Sequence, residues 1–227
     1  MRFAAVIFDF YGTLTHPVTP TSHAQAVKPV ADFLGVGQQE LTDFYRDTYD
    51  ERATGSWGNL ESSLAEMARR LRPGVSFDLD ELSRVRRESI RHQMFAFRAD
   101  VVSTLIELAG IGLRTGLISD CTHELTLVWP ELEIAPHIEV PVFSVLEGIK
   151  KPNPEIYLRA TRRLGVDPSE TVFVGDGGSN ELQGATDVGM TAIWIKDPAA
   201  EDAVIYGRAK WSGLSVTSLS QILEIIQ

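Results

Sequence analysis

Cysteine is almost missing from this chain. Cys121 is the single one among 227 residues, so an internal disulfide is excluded and a reducing, cytoplasmic setting is the expectation. No apolar run is long enough to span a bilayer. Met1-Arg2-Phe3 does open with a basic residue and a short apolar stretch, but Asp9 follows too soon for a secretory leader. Positive charge is scarce as well. Lysine and arginine number 21 against 31 acidic residues, a formal net charge of −10, which argues against a nucleic-acid partner or a membrane surface. Any phosphate site must therefore be positive locally. Internal repeats and low-complexity tracts are absent too. The rest is ordinary for a soluble globular chain, with 44% hydrophobic and 23% charged residues, and the length suits one domain with a large insertion.

What is present is organised around Phe3–Leu14. Phe3 to Phe8 is an unbroken apolar run, the pattern of a strand buried on both faces of a parallel sheet, and it stops at a carboxylate, Asp9. In open α/β sheets chemistry collects outside the carboxyl ends of the strands. Gly12 lets the backbone turn tightly just beyond. An aspartate so placed has two readings: a nucleophile that forms a covalent intermediate, or an ordinary turn or N-cap residue.

Residues 16–97 change character. Pro17 and Pro20 lie in an exit linker, and helical patterns follow at 23–34, 39–53, 60–71 and 78–94, the last with Asp78 as N-cap. Along that last helix Arg84, Arg86, Arg87 and Arg91 read as a solvated basic face. From Arg98 onward strands and helices alternate: a helix at 101–109, strands at 114–118, 140–144, 171–174 and 191–195, and helices at 154–164, 180–188 and 217–226. Residues 122–140 carry no clear period. The expected fold is α/β, a doubly wound parallel (Rossmann-like) sheet core formed by 1–15 and 98–227, with an inserted all-helical cap over 16–97.

Polar groups then gather at four strand ends: Asp9 and Thr13; Ser119 and Asp120; Lys151; and Asp176 with Asn180 and Glu181. In this order they resemble the motifs of the haloacid dehalogenase superfamily of hydrolases: Asp9-Phe10-Tyr11-Gly12-Thr13, Leu117-Ile118-Ser119, Lys151-Pro152 and Gly175-Asp176 with Glu181. The resemblance runs the length of the chain. It implies Asp9 as nucleophile, with Thr13, Ser119 and Lys151 holding substrate oxygens and the charge that develops on them. It implies a Mg²⁺ site built from Asp9, Asp176, Glu181 and the Tyr11 backbone carbonyl, oxygen ligands that suit a hard cation. Tyr11, Gly12, Asp120 and a cap arginine, Arg46, are the expected substrate contacts, and the substrate is a small anionic molecule. Each residue has a bland alternative: Lys150-Lys151 a solvated pair, Ser119 a cap, Glu181 a first-turn acid, Arg46 a surface arginine.

One position departs from the pattern. The superfamily's phosphatases carry a second Asp two residues after the nucleophile, which serves as general acid and base and contributes roughly 10²–10⁴ in rate. Here it is Tyr11, a phenol with a reference pKa of about 10 and so a poor base near neutrality. Asp-x-Tyr-Gly-Thr resembles instead the 2-haloacid dehalogenases, whose halide leaves without a proton and which use no metal. Those enzymes lack an acid matching Asp176, which this chain has. Two carboxylates kept at one site favour a bound cation, so the first expectation is a Mg²⁺-dependent phosphatase with an aspartyl intermediate. A metal-independent dehalogenase and a catalytically weakened binding protein are the alternatives, and His16 and His123 are the candidate replacement acids.

Overall fold

The computed structural model describes residues 3–197, 203–205, 207 and 210–226. From the N-terminus, strand β1 (Ala5–Phe8) is followed by helices α1 (Pro20–Leu34), α2 (Gln38–Asp47), α3 (Tyr49–Ala53), α4 (Leu60–Leu71) and α5 (Leu79–Phe95). The chain then runs through α6 (Val101–Gly110), β2 (Arg114–Ser119), α7 (His123–Val128), β3 (Val140–Phe143), α8 (Ser144–Glu147) and α9 (Pro154–Leu164). It closes with β4 (Thr171–Gly175), α10 (Glu181–Asp187), β5 (Thr191–Ile195), β6 (Leu214–Val216) and α11 (Ile222–Ile226).

The strands form one parallel sheet in the order β3-β2-β1-β4-β5-β6. After β1 the chain moves outward through β2 and β3, then returns to β1's other side to lay down β4. The order reverses at β1, the place in such sheets where a crevice opens at the carboxyl ends. Strand alternation splits the core into two layers. Val6 and Phe8 pack with Leu105 and Leu108 of α6 and Ile222 of α11, whereas Ala5 and Ile7 face Ile156 and Tyr157 of α9 and Leu182 of α10. Covering both faces accounts for the unbroken apolar run that precedes Asp9.

The helices between β1 and α6 have their own apolar centre, in which Val27, Val30, Leu41, Leu64, Met67 and Leu82 pack together. Local signals set their ends. The Thr19 side chain accepts the Ser22 N–H with Pro20 in the first turn of α1, and Asp78 accepts the Glu81 N–H to start α5. The two connections to the sheet run side by side, with Thr15 bridged to Phe97. Among the described residues no helix is long and apolar enough to cross a membrane.

Some expectations shift. The helix expected over 39–53 breaks at Thr48, whose hydroxyl is turned back onto the Phe44 carbonyl at 2.6 Å. The stretch 122–140 becomes α7 and two short 3₁₀ turns, too brief to show a period. The closing helix covers only the end of 217–226, and β6 was not expected, being three residues long. Within the basic face of α5, Arg86 is buried against Glu124, whereas Arg84 and Arg91 are surface residues paired with Glu81, Glu88 and Glu131.

Candidate active site

Asp9 follows β1 directly and is tied to the neighbouring strand, its N–H bonding the Val174 carbonyl at 2.9 Å. Its carboxylate is held at both oxygens. Oδ1 accepts from Lys151 Nζ, and Oδ2 accepts from the Thr13 hydroxyl at 3.1 Å. Lys151 reaches the site from the segment after α8; its backbone N–H bonds Asp120 Oδ1 at 3.0 Å, and its Nζ also meets Glu181 Oε2 at 2.5 Å. Glu181 is spanned between two partners, because its other oxygen accepts the Gly177 N–H at 3.0 Å. Asp176 lies just past β4 and accepts the Gly178 N–H at 2.8 Å. Gly12 has φ +74°, and a Cβ there would stand 2.5 Å from Asp176 Oδ2. Glycine is thus required by the close approach of the first and fourth strand-end turns.

Asp9, Asp176 and Glu181 can each turn one oxygen to a common point, these atoms all lying within 4.8 Å of one another. Asp120 is close by, and Lys151 pairs with Asp9 and Glu181. Burial opposes a charge on Lys151, but Asp9, Glu181 and Asp120 outweigh it and raise its pKa well above the lysine value, so it stays an ammonium. Burial pushes Glu181 far up, against the pull of Lys151, and Asp9 and Asp176 push the same way. Burial also raises Asp120, with Lys151 opposing. This is an excess of negative charge on hard oxygen donors, which fits a divalent cation such as Mg²⁺.

The other expected residues are placed unevenly. Ser119 is fully buried, its Oγ has no hydrogen-bond partner, and it does not line the chamber of about 100 Å³ in front of Asp9. Asp120, Tyr11, Lys151, Asp176 and Glu181 do line it. The Tyr11 ring packs edge-on against Phe10, with centroids 4.9 Å apart, and burial followed by the charges of Cys121 and Glu124 raises its pKa well above the phenol value. Tyr11 therefore keeps its proton and is no base near neutrality. Arg46 lies outside the site: it is half exposed on α2 and paired with Asp43 and Asp47 at 2.7 and 3.0 Å. Its carboxylate neighbours three residues back and one ahead on the same surface hold it there. His16 is exposed, and His123 bonds the Gly58 carbonyl at 2.6 Å; neither lines the Asp9 chamber.

Several residues went unselected by sequence reasoning. Arg98 is buried at the junction with the helical insertion and donates to the carbonyls of Gly12 and Thr13, both at 2.9 Å, fixing the turn that carries the nucleophile candidate. Tyr157 donates to the Glu181 carbonyl at 2.9 Å, and Tyr49 donates to the Asp120 carbonyl at 2.9 Å. A second cavity of about 200 Å³ lies between sheet and insertion, with Tyr11, Tyr49 and Asp120 common to both chambers, and with Tyr45, Arg52 and Arg86 in its wall. Tyr45, Tyr49 and Arg52, spaced four and three apart, were a detectable stripe along the helical pattern.

An aspartate at the end of a central parallel strand, clamped by a buried lysine beneath a helical insertion, makes a candidate active site at the strand ends of a doubly wound α/β sheet. The chain belongs to the haloacid dehalogenase-like hydrolases, whose family model matches residues 3–189. It is 33% identical over 128 residues to a glyceraldehyde 3-phosphate phosphatase of Pyrococcus furiosus, 55% of this chain and 52% of that one, so it spans about half the length of the curated relatives it matches. Among solved structures, a HAD phosphatase from Thermococcus onnurineus superposes with a TM-score of 0.67 at 23% identity, covering 99% of this chain and 98% of the other. A 2-haloacid dehalogenase from Pseudomonas syringae pv. Tomato DC3000 gives 0.69 at 23% identity with the same coverage. These two likenesses establish the fold and favour neither chemistry.

Proposed function

We propose that this hydrolase is a Mg²⁺-dependent phosphatase of a small phosphorylated metabolite, with Asp9 as nucleophile. The observation that carries the reading is the cluster of Asp9, Asp176 and Glu181 around one point, with Lys151 paired to Asp9 and Glu181. A phosphatase gains from a cation there, and a metal-free dehalogenase does not. Relatives named glyceraldehyde 3-phosphate phosphatase support a small phosphate ester as substrate. A cytoplasmic setting belongs to the same reading and is supported by the scarcity of cysteine.

In this reading an Asp9 oxygen attacks phosphorus, the bond to the ester oxygen breaks, that oxygen leaves as an anion that takes its proton from solvent, and an aspartyl phosphate forms; water then attacks that phosphorus, gives a proton to solvent, and frees the carboxylate and inorganic phosphate. Thr13 and Lys151 orient Asp9, and the ammonium offsets charge on the phosphoryl oxygens. Asp9, Asp176 and Glu181, with the Tyr11 carbonyl, would hold the Mg²⁺, which would supply charge neutralisation between carboxylate and phosphate. Glu181 also positions Lys151 and the loop at Gly177. Residues 16–97 act as the cap over this site.

Tyr11, which replaces the proton-donating carboxyl, favours a second reading, the 2-haloacid dehalogenase. The test is release of phosphate from 4-nitrophenyl phosphate and of chloride from 2-chloropropionate, each with Mg²⁺ and with EDTA. Mg²⁺-dependent phosphate release that Asp9→Asn abolishes is the expected result. Metal-independent chloride release would replace it with the dehalogenase, and neither release with phosphate still bound would leave a binding protein.

A further inference from the structure

The larger cavity carries a charge that the hydrolytic chemistry does not use. Arg52 and Arg86 line it, 9% and 7% exposed, and both guanidinium carbons lie near the Tyr45 ring, 4.8 and 4.9 Å from its centroid. Arg86 is compensated by Glu124, Nε to Oε1 at 2.6 Å. Arg52 is not. Its Nε and Nη2 donate to neutral acceptors, the Thr48 hydroxyl at 3.2 Å and the Tyr45 carbonyl at 2.7 Å, and among the described residues no carboxylate lies within salt-bridge distance of it. Beside it the Tyr45 hydroxyl is buried without a hydrogen-bond partner. His23, also in the wall, adds no further positive charge near neutrality, since burial and then Arg86 lower its pKa.

A guanidinium in a protein does not shed its proton, so two buried arginines sharing one carboxylate, Glu124, carry a standing electrostatic cost unless a ligand supplies a second anion. We infer that Arg52, with the unpartnered Tyr45 hydroxyl, binds a second anionic group of the substrate, a carboxylate or a further phosphate, on the leaving-group side of the bond that is cleaved. The direction follows from the two chambers. They share Tyr11, Tyr49 and Asp120, so a molecule whose phosphoryl group faces Asp9 and Lys151 extends past Tyr11 into the cavity that Arg52 lines. At about 200 Å³ the cavity is below the roughly 300–1,000 Å³ usual for drug-sized ligands, which limits that remainder to a few heavy atoms. The substrate class is therefore a short phosphate ester carrying a second acid. The inference rests on Asp9 facing the phosphoryl group.

The test separates the two. Calorimetric binding of 3-phosphonopropionate and of propylphosphonate, matched non-hydrolysable phosphonates with and without a carboxylate, is measured with Mg²⁺ in the wild type and in Arg52→Met. Turnover of isopropyl phosphate, 2-phospholactate and propane-1,2-diol bisphosphate is measured alongside, with 4-nitrophenyl phosphate as the general phosphatase control. Binding favours the carboxylate-bearing phosphonate by about ten- to a hundred-fold, as for a hydrogen bond to a charged group, and kcat/KM favours at least one of the esters that carry a second acidic group likewise. Whether 2-phospholactate or the bisphosphate leads identifies the anion. In Arg52→Met the preference collapses towards one. A loss equal for both phosphonates would mean that Arg52 only supports Tyr45 and would overturn the inference. So would a wild type indifferent to the second charge, a result that stands even if Arg52→Met does not fold. Absence of turnover on every ester, the control included, would sink the phosphatase and leave the binding comparison to decide on Arg52.

Discussion

Lys151→Met keeps the aliphatic stem and deletes the one cation that, among the described residues, pairs with Asp9 and Glu181. Lys151 is 2% exposed, Asp9 6% and Glu181 1%, so water cannot replace what is lost. Removing one partner of a buried ion pair costs about 3–5 kcal/mol, because the charge left behind is unpaired. For a chain of this size about 2–4 °C of melting temperature accompanies each kcal/mol, so the fall is roughly 6–20 °C. The experiment is thermal and urea unfolding in EDTA, extended to a cycle with Glu181→Gln. If the Lys151 to Glu181 contact at 2.5 Å is what holds the ammonium, the double variant loses less than the sum of the singles, with a coupling of about 1–3 kcal/mol. A Lys151→Met protein that melts with the wild type, or strictly additive losses, would refute this account of the site's electrostatics.

Three further outcomes follow from the same geometry. Mg²⁺ raises the melting temperature of the wild type, by mass action on the folded state, and fails to do so in Asp176→Asn; an equal response in both would remove Asp176 from the metal site. Because Tyr11 keeps its proton, aryl and acyl phosphates are turned over better than alkyl phosphates, and Tyr11→Asp raises alkyl turnover about ten-fold or more; an unchanged rate would mean that another group already serves. Burial pushes the Glu124 carboxyl up, but Arg86 and nearby hydrogen bonds hold it at about 2 against an ordinary 4.5. That lowered value contributes on the order of 3 kcal/mol, present in full above pH about 4.5 and lost as pH falls towards about 2. Unfolding titrations at pH 6 and pH 3 will show a steeper acid loss in the wild type than in Glu124→Gln, and parallel losses would contradict the pairing.

The sheet was readable because its signals are local. The apolar run before Asp9, the strand at 191–195 and the helix at 154–164 each declare themselves within a few residues. Asp9, Lys151, Asp176 and Glu181 were readable because each follows on a strand, whereas Ser119, chosen on the same ground, does not line the chamber in front of Asp9. β6 was not, since Leu214–Val216 is too short to alternate visibly after the Gly213 turn. The cap arginines were illegible for a different reason. Arg86 meets Glu124 across 38 positions, and Arg52 faces a cavity that exists only once the insertion sits over the sheet. By spacing alone Arg86 belongs to a solvated face. Arg46, chosen beside its aromatic neighbours, is held outside by Asp43 and Asp47, which the sequence placed in plain view.

The central claim is that Asp9 attacks phosphorus. During Mg²⁺-dependent turnover of 4-nitrophenyl phosphate, rapid acid quenching followed by peptide mass spectrometry reads it directly. The account predicts a phosphoryl group on the peptide that contains Asp9, and none in Asp9→Asn. Phosphate release that persists in Asp9→Asn, or the carbon skeleton of 2-chloropropionate esterified to Asp9 in EDTA with no phosphate released from any ester, would contradict it.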